Sequence, residues 1–264
     1  MSDVDATRSR GAKIDPDVGK QVLLVMGLCL ELLMMAAGLW PAAWLVLRYA
    51  PVAHAASHWV LLILAAALVF NTGYLLALLL LRAIIPRPRQ GHHPVSVDSG
   101  IPRVVQVLML NILLVKARHD PPWGRTFSSM LTNVPPLGPL FRGYFGPRTS
   151  SATASGSELC VDPHFVEAGK NVEFGCRYLI SAHHFDNRGM YIRKVTIGDH
   201  AVIGDEAILT AGVQVGHHAV IEARSLVRPE TKIGPYEYWA GLPARKIRDI
   251  RPDDPAQAAE HATS

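Results

Sequence analysis

Charge is scarce in this chain. Asp, Glu, Lys and Arg together make up 18% of its 264 residues, against 49% hydrophobic residues. That balance is too apolar for an ordinary soluble protein and points to membrane segments. Net charge is only +4, and no interleaving of basic and aromatic residues accompanies it, so nucleic acid is not an expected partner. Cysteine is nearly absent, with Cys29, Cys160 and Cys176 alone. Their odd number and irregular spacing argue against a disulfide framework and fit no metal site. Unpaired thiols suit a reducing cytosol.

What is present first is two apolar runs. Val22 to Leu47 is broken only by Glu31 and Pro41, and Trp59 to Leu81 carries no charge. Each exceeds the roughly 20 residues that cross a bilayer as a helix, and neither has a polar face. The loop between them is short, so the pair forms a hairpin with both flanks on one side. Arg8, Arg10, Lys13 and Lys20 precede the first run, Arg82, Arg87 and Arg89 follow the second, and the loop holds only Arg48. The positive-inside rule then puts both flanks in the cytoplasm, as a multi-pass inner-membrane protein. Glu31 is costly in lipid and is expected to face protein.

What is present second is a period of six. Ile197, Ile203, Leu209, Val215, Ile221, Val227 and Ile233 recur at that spacing. It matches neither a helix face nor a strand face. Ala201, Ala207, Val213, Ala219, Ser225 and Thr231 occupy a second, small inward slot, and Gly198, Gly204, Gly216 and Gly234 recur beside the aliphatic residue. A fixed short period means stacked repeats. The simplest object is a three-sided coil with one hexapeptide per side, the glycines serving the dihedrals of its turns. Ala168, Phe174 and Ile180 continue the period upstream, but Ile180 and Ile197 are 17 residues apart. Something is inserted between them.

The chain therefore divides into a cytoplasmic N-terminal segment (1–20), a transmembrane helical hairpin (21–85), a linker with an interfacial helix at Val104–Val115 (86–158), a coil domain (159–250) and a disordered tail (251–264). The insertion "SAHHFDNRGMYIRKV" holds the chemistry. His183 falls on an outward position and His184 on an inward one, if the register survives to that point. An excursion from a coil makes a wall, and an imidazole beside a wall is suited to act as a general base. His200, His217 and His218 fill outward positions of regular repeats and read as solvated corner residues.

From Val172 to Arg248 the chain resembles the hexapeptide-repeat acyltransferases, in the maltose and galactoside acetyltransferase branch. The residues that carry the resemblance are "LISAHHFD", "VTIGDHAVIG" and "WAGLPARKIR". The resemblance implies a short left-handed parallel β-helix, a homotrimer with pockets between subunits, and acetyl-CoA as co-substrate without a metal. It implies His183 as the catalytic base, with Asp186 orienting the imidazole or the loop. It places Gly212, Gly241, Pro243, Ala244, Arg245 and Lys246 at the coenzyme, with Glu173 and Glu222 as weaker acceptor-side candidates. Trimeric γ-class carbonic anhydrases need a pair of histidine ligands five residues apart, and no such pair occurs in the coil region. The overall plan, with "H-x-F-[DE]-x-R" at His183, Phe185, Asp186 and Arg188, also resembles one membrane condensation unit of polylysine-synthetase-type peptide synthetases. The expected function is a membrane-anchored acyltransferase acting on a small-molecule or lipid-linked envelope acceptor through a hydroxyl or amine. An amide-forming unit fed by a carrier-bound aminoacyl thioester and a non-catalytic trimeric scaffold are the alternatives.

Overall fold

The computed structural model describes residues 16–94, 102–119, 145, 151–154 and 159–250. The first 15 residues, most of the 120–158 connection and the 251–264 tail lie outside the described residues. Two long helices come first, α1 (Pro16–Tyr49) and α2 (Ala56–Ile84). They pack closely because two glycines permit it. A Cβ on Gly73 would meet the Ala37 carbonyl oxygen at 2.5 Å, and one on Gly38 would meet that of Phe70 at the same distance. Small residues at a crossing let helix backbones approach in this way. Their outer faces are bare hydrocarbon, with Trp40, Leu47 and Leu24 exposed by 82%, 77% and 74%. Glu31 is answered from the facing helix: the Tyr74 hydroxyl donates to its carboxylate at 3.1 Å.

A third helix, α3 (Arg103–His119), is longer than the apolar run that announced it. It joins the two halves of the molecule. Val105 and Leu108 belong to the core of the β-rich part. Leu114 and Val115 pack with Met34, Tyr74, Leu75 and Leu78 of the helical pair. A polar knot fixes this junction. The buried Arg82 guanidinium donates to Asn111 Oδ1, and the Asn111 amide donates to the carbonyls of Pro86 (3.0 Å) and Val107 (2.7 Å).

The rest is a three-sided coil of parallel strands. One face stacks β2 (Ser151–Ala154), β5 (Lys170–Phe174), β10 (Val202–Ile203), β13 (Val220–Ile221) and β16 (Glu237–Gly241), closed by antiparallel β17 (Ala244–Asp249). The second stacks β3 (Leu159–Cys160), β6 (Leu179–Ile180), β11 (Ile208–Leu209) and β14 (Leu226–Val227). The third stacks β4 (Val166–Ala168), β9 (Val195–Ile197), β12 (Gln214–Val215) and β15 (Lys232–Ile233). Val202 pairs with Val220, Ile208 with Leu226 and Gln214 with Lys232. Each step is one rung of three hexapeptides. Ile203, Leu209, Ile221 and Val227 are fully buried, and Ala201, Ala207, Val213 and Ala219 fill the second slot with no exposure. Burying one such aliphatic side chain contributes about 1.5–3 kcal/mol.

The repeat glycines are explained differently from the sequence expectation. Gly198, Gly204, Gly216 and Gly234 do not take positive φ; that conformation falls two residues later, at His200, Glu206, His218 and Tyr236. What demands glycine is the next rung: a Cβ on Gly204 would stand 2.4 Å from the Ala223 nitrogen, and one on Gly216 2.4 Å from that of Pro235.

One rung is longer. Glu173 pairs with Val202 and Leu179 with Ile208, steps that exceed the regular one. The excess is a hairpin, β7 (His183–Asp186) and β8 (Gly189–Ile192), leaving the corner between the second and third faces. The linker after α2 adds a further strand, β1 (Gly91–His93), to its free edge.

Candidate active site

The hairpin leaves the coil directly above Asp162. Cys160 pairs with Ile180, so the chain just past β3 lies beneath the chain just past β6. Asp162 sits in the lower of these corners, its side chain 2% exposed. Its Oδ2 accepts the Ala182 N–H at 2.8 Å and lies 2.6 Å from His183 Nδ1. A buried carboxylate in that position accepts, so Nδ1 carries the hydrogen and Nε2 is left as the basic nitrogen. Ser181 Oγ lies 3.3 Å from the same Nδ1 and donates to the His183 carbonyl at 3.0 Å. Phe185 closes against the ring edge-on at 6.1 Å. The imidazole, expected to point outward, is 14% exposed.

Asp186 does not orient the imidazole. Its Oδ1 accepts the backbone N–H groups of Arg188 (2.8 Å) and Gly189 (3.1 Å), and Arg188 Nε lies 3.8 Å from Oδ2. It fastens the hairpin turn, as short polar side chains do there. His184 does not point into the coil, because the coil register ends at Ala182, whose carbonyl accepts the Arg193 N–H. Its ring stacks on Tyr191 at 5.0 Å.

The three hairpin strands align in rows. His183 stands opposite Ile192, which stands opposite Gly91. The next row is His184, Tyr191 and His92, whose rings stack at 5.0 and 4.4 Å. Directly opposed residues share one sheet face, which is why these rings meet. His92 Nε2 also lies 3.0 Å from the Arg188 carbonyl oxygen, tying the linker to the hairpin turn.

Beside the first row opens a groove of about 460 Å³, lined by Gln90, Gly91, Ile192, Arg193, Gly212 and Lys232 among others. Gly212 occupies the same corner one rung up, with φ +78° and its N–H donating to the Arg193 carbonyl at 3.3 Å. A Cβ there would press on Glu230 Cγ at 3.1 Å. His183 and Gly212 are thus brought to one corner.

The closing motif is elsewhere. The Gly241 N–H donates to Ser225 Oγ at 3.2 Å, and Ser225 lies between β13 and β14, at the corner between the first and second faces. Gly241 ends β16, Pro243 lies in the turn, and Ala244, Arg245 and Lys246 open β17 opposite Gly241, Ala240 and Trp239. Within one chain the second face of the coil stands between this turn and His183. Lys246 is held by Glu237 Oε1 (2.8 Å) and Asp249 Oδ1 (2.6 Å). Hydrogen bonds to Asp249 and then Glu237 raise its pKa. Burial works to raise the Glu237 pKa, but Lys246, Trp239 and the Gly234 N–H outweigh it and hold the carboxyl below its ordinary range. Arg245 is exposed and has no ion pair among the described residues.

Three further histidines, His200, His217 and His218, share the corner between the third and first faces. His200 stacks on His218 at 4.8 Å and His218 on Tyr236 at 4.7 Å, while His217 Nδ1 lies 3.1 Å from His218 Nδ1. Among the described residues no three His, Cys, Asp or Glu side chains group to hold a metal.

No family model matches the chain. It is 35% identical over 101 residues to galactoside O-acetyltransferase from Escherichia coli (strain K12), covering 36% of this chain and 49% of that protein. It is 38% identical over 69 residues to the mitochondrial gamma carbonic anhydrase 1 of Arabidopsis thaliana, covering 26% of this chain and 25% of that one. A maltose O-acetyltransferase from Clostridium difficile 630 aligns with a TM-score of 0.39 at 22% identity, over 47% of this chain and 82% of that one. The chain spans about half the length of the first relative and a quarter of the second. The curated proteins it resembles include acetyltransferases.

Proposed function

We propose that the chain is a membrane-anchored acyltransferase that moves an acetyl group from coenzyme A to a hydroxyl or amine, with His183 as general base. The observation that carries the reading is the 2.6 Å contact between His183 Nδ1 and the buried Asp162 carboxylate. Nε2 takes the acceptor's proton as its oxygen or nitrogen attacks the thioester carbonyl. The new bond to carbon forms, the carbon–sulfur bond breaks, and the imidazolium returns its proton to the departing thiolate. Asp162 fixes the tautomer and stabilises the transient imidazolium; proton transfer by a base so held contributes typically about 10²–10⁴-fold. Asp186 serves by holding the turn.

The donor reading draws on the acetyltransferase relatives and on residues able to receive it. Gly212 offers a side-chain-free backbone, and Arg245 an exposed cation for nucleotide phosphates, with Gly241, Pro243 and Ala244 shaping its turn. Because one chain keeps His183 and Arg245 at opposite edges of the second face, a homotrimer would unite them, the edge of one coil meeting that of the next. In this reading the coil is left-handed, and α1 and α2 cross the inner membrane with the coil in the cytoplasm. Bare apolar faces on helices of 34 and 29 residues support the crossing.

The test is calorimetry of acetyl-CoA with the full chain in detergent. Saturable binding, weakened by Arg245→Ala, is expected. Absence of binding to folded protein at millimolar ligand would overturn the coenzyme reading and turn attention to carrier-bound donors.

A further inference from the structure

The groove beside His183 is built in part by the linker that follows the apolar helices, and it is polar and basic. We infer that it receives the acceptor, and that the acceptor is a membrane lipid bearing a phosphate headgroup. This rests on the acyltransferase reading above and names its substrate class.

Position is the first argument. His183, Ile192 and Gly91 form one row, so the base and the groove wall share a sheet face. Gln90 stands six residues after Ile84, the last residue of α2. Six residues extend at most about 20 Å. The groove is therefore within about 20 Å of the end of an apolar helix. Asp162 sits in the first rungs, and α3 packs those rungs onto the helical pair.

Charge is the second argument. Arg193 is paired with Glu230 at 2.8 Å, and Lys194 with Glu167. Lys232 in the groove, and Arg87 and Arg89 on the linker, are exposed and have no carboxylate partner among the described residues. Lys232 is thus the uncompensated cation of the lining, with Arg89 beside the lining residue Gln90 in sequence; they suit an anion, and a phosphate ester above a carboxylate because its charge and oxygens are more numerous. Composition is the third. Ile192 is the one large apolar residue in the lining, with Gln90 and Gln214 adding amides. A lipid tail has no place there, and it would stay in the bilayer while the headgroup enters.

The experiment titrates the full chain in detergent with three probes: dihexanoyl phosphatidic acid, inorganic phosphate and coenzyme A. The wild type is expected to bind the short-chain lipid saturably. Lys232→Glu should weaken that binding about tenfold or more, as loss of a charge-assisted hydrogen bond does, and change coenzyme A affinity less than about twofold. Lys170→Glu, exposed at the corner between the third and first faces, should leave both unchanged, with unfolding temperatures matched across variants. Equal weakening of coenzyme A and lipid by Lys232→Glu would make the groove the donor's phosphate site and overturn the inference. Inorganic phosphate binding as tightly as the lipid would overturn the lipid class, as would no lipid binding at all. Loss of coenzyme A binding in the wild type would instead fail the acyltransferase reading, while the lipid titration still reports on the groove.

Discussion

Two corners of the coil carry histidine, and only one is equipped for proton transfer. At the hairpin corner a single imidazole meets a buried carboxylate, with Nδ1 2.6 Å from Asp162 Oδ2. At the corner between the third and first faces, His200, His217 and His218 meet one another and Tyr236, with ring centroids 4.7 to 5.3 Å apart. The first arrangement fixes a tautomer. The second packs rings around His218 and lowers its pKa, through burial first and the charges of His200 and His217 after it. Three imidazoles without a buried carboxylate are a ladder of packed rings; one imidazole on a buried carboxylate is the arrangement that the proposed base requires.

The largest effect should come from breaking the hairpin corner. His183→Ala should reduce label transfer from acetyl-CoA into membranes holding the full chain by about 10²–10⁴-fold. His217→Ala or His218→Ala should change it less than about twofold. Equal losses from both corners would dissolve the comparison. Asp162→Asn should cost about tenfold or more, since the neutral amide keeps an oxygen on Nδ1 but no longer offers a full negative charge to the imidazolium. Its oxygen can still accept the Ala182 N–H, which keeps the fold testable by its unfolding temperature. Asp186→Asn retains a turn acceptor and should cost less than about threefold. A reversed order for the two aspartates would restore the role that sequence spacing gave Asp186.

A smaller effect should follow from loosening the wall. Tyr191→Leu removes the ring between His184 and His92 and should lower turnover about tenfold. Tyr191→Phe keeps the ring and should restore it, because the contacts of Tyr191 at 5.0 and 4.4 Å are made by its ring. Failure of Phe to rescue would assign the hydroxyl a role of its own.

The repeat was legible because it is written in the side chains themselves: an aliphatic every six residues and a small residue between. The insertion was legible as a break in that count. His183 followed from the motif. Asp162 did not, because it lies 21 residues upstream in a corner that carries a short 3-10 turn, Pro163–Phe165, and so slips out of the period. Stepping back about one rung from His183 in search of a carboxylate would have come close to it. The strand Gly91–His93 left no signal either, since three residues beside prolines have no periodicity to read. Gly198, Gly204 and Gly216 were legible as a pattern, but their cause was not: close approach of the next rung is a property of the stack.

The smallest effect is electrostatic and belongs to the second corner. Burial beneath neighbouring rings lowers the His218 pKa from 6.5, the charges of His200 and then His217 lower it further, and Asp199 opposes them. Between the folded value and 6.5 the unfolded chain therefore binds more protons than the folded one at this site. Stability from the ring ladder is fully present above 6.5 and is lost as pH falls through the folded value. NMR titration of labelled histidine should show His218 protonating below 6.5, and His200→Ala should raise its midpoint by removing one positive neighbour. The unfolding temperature of wild type relative to His218→Asn should fall between pH 7.5 and pH 5.5. A His218 midpoint above 6.5 would mean that Asp199 outweighs the burial and the neighbouring rings.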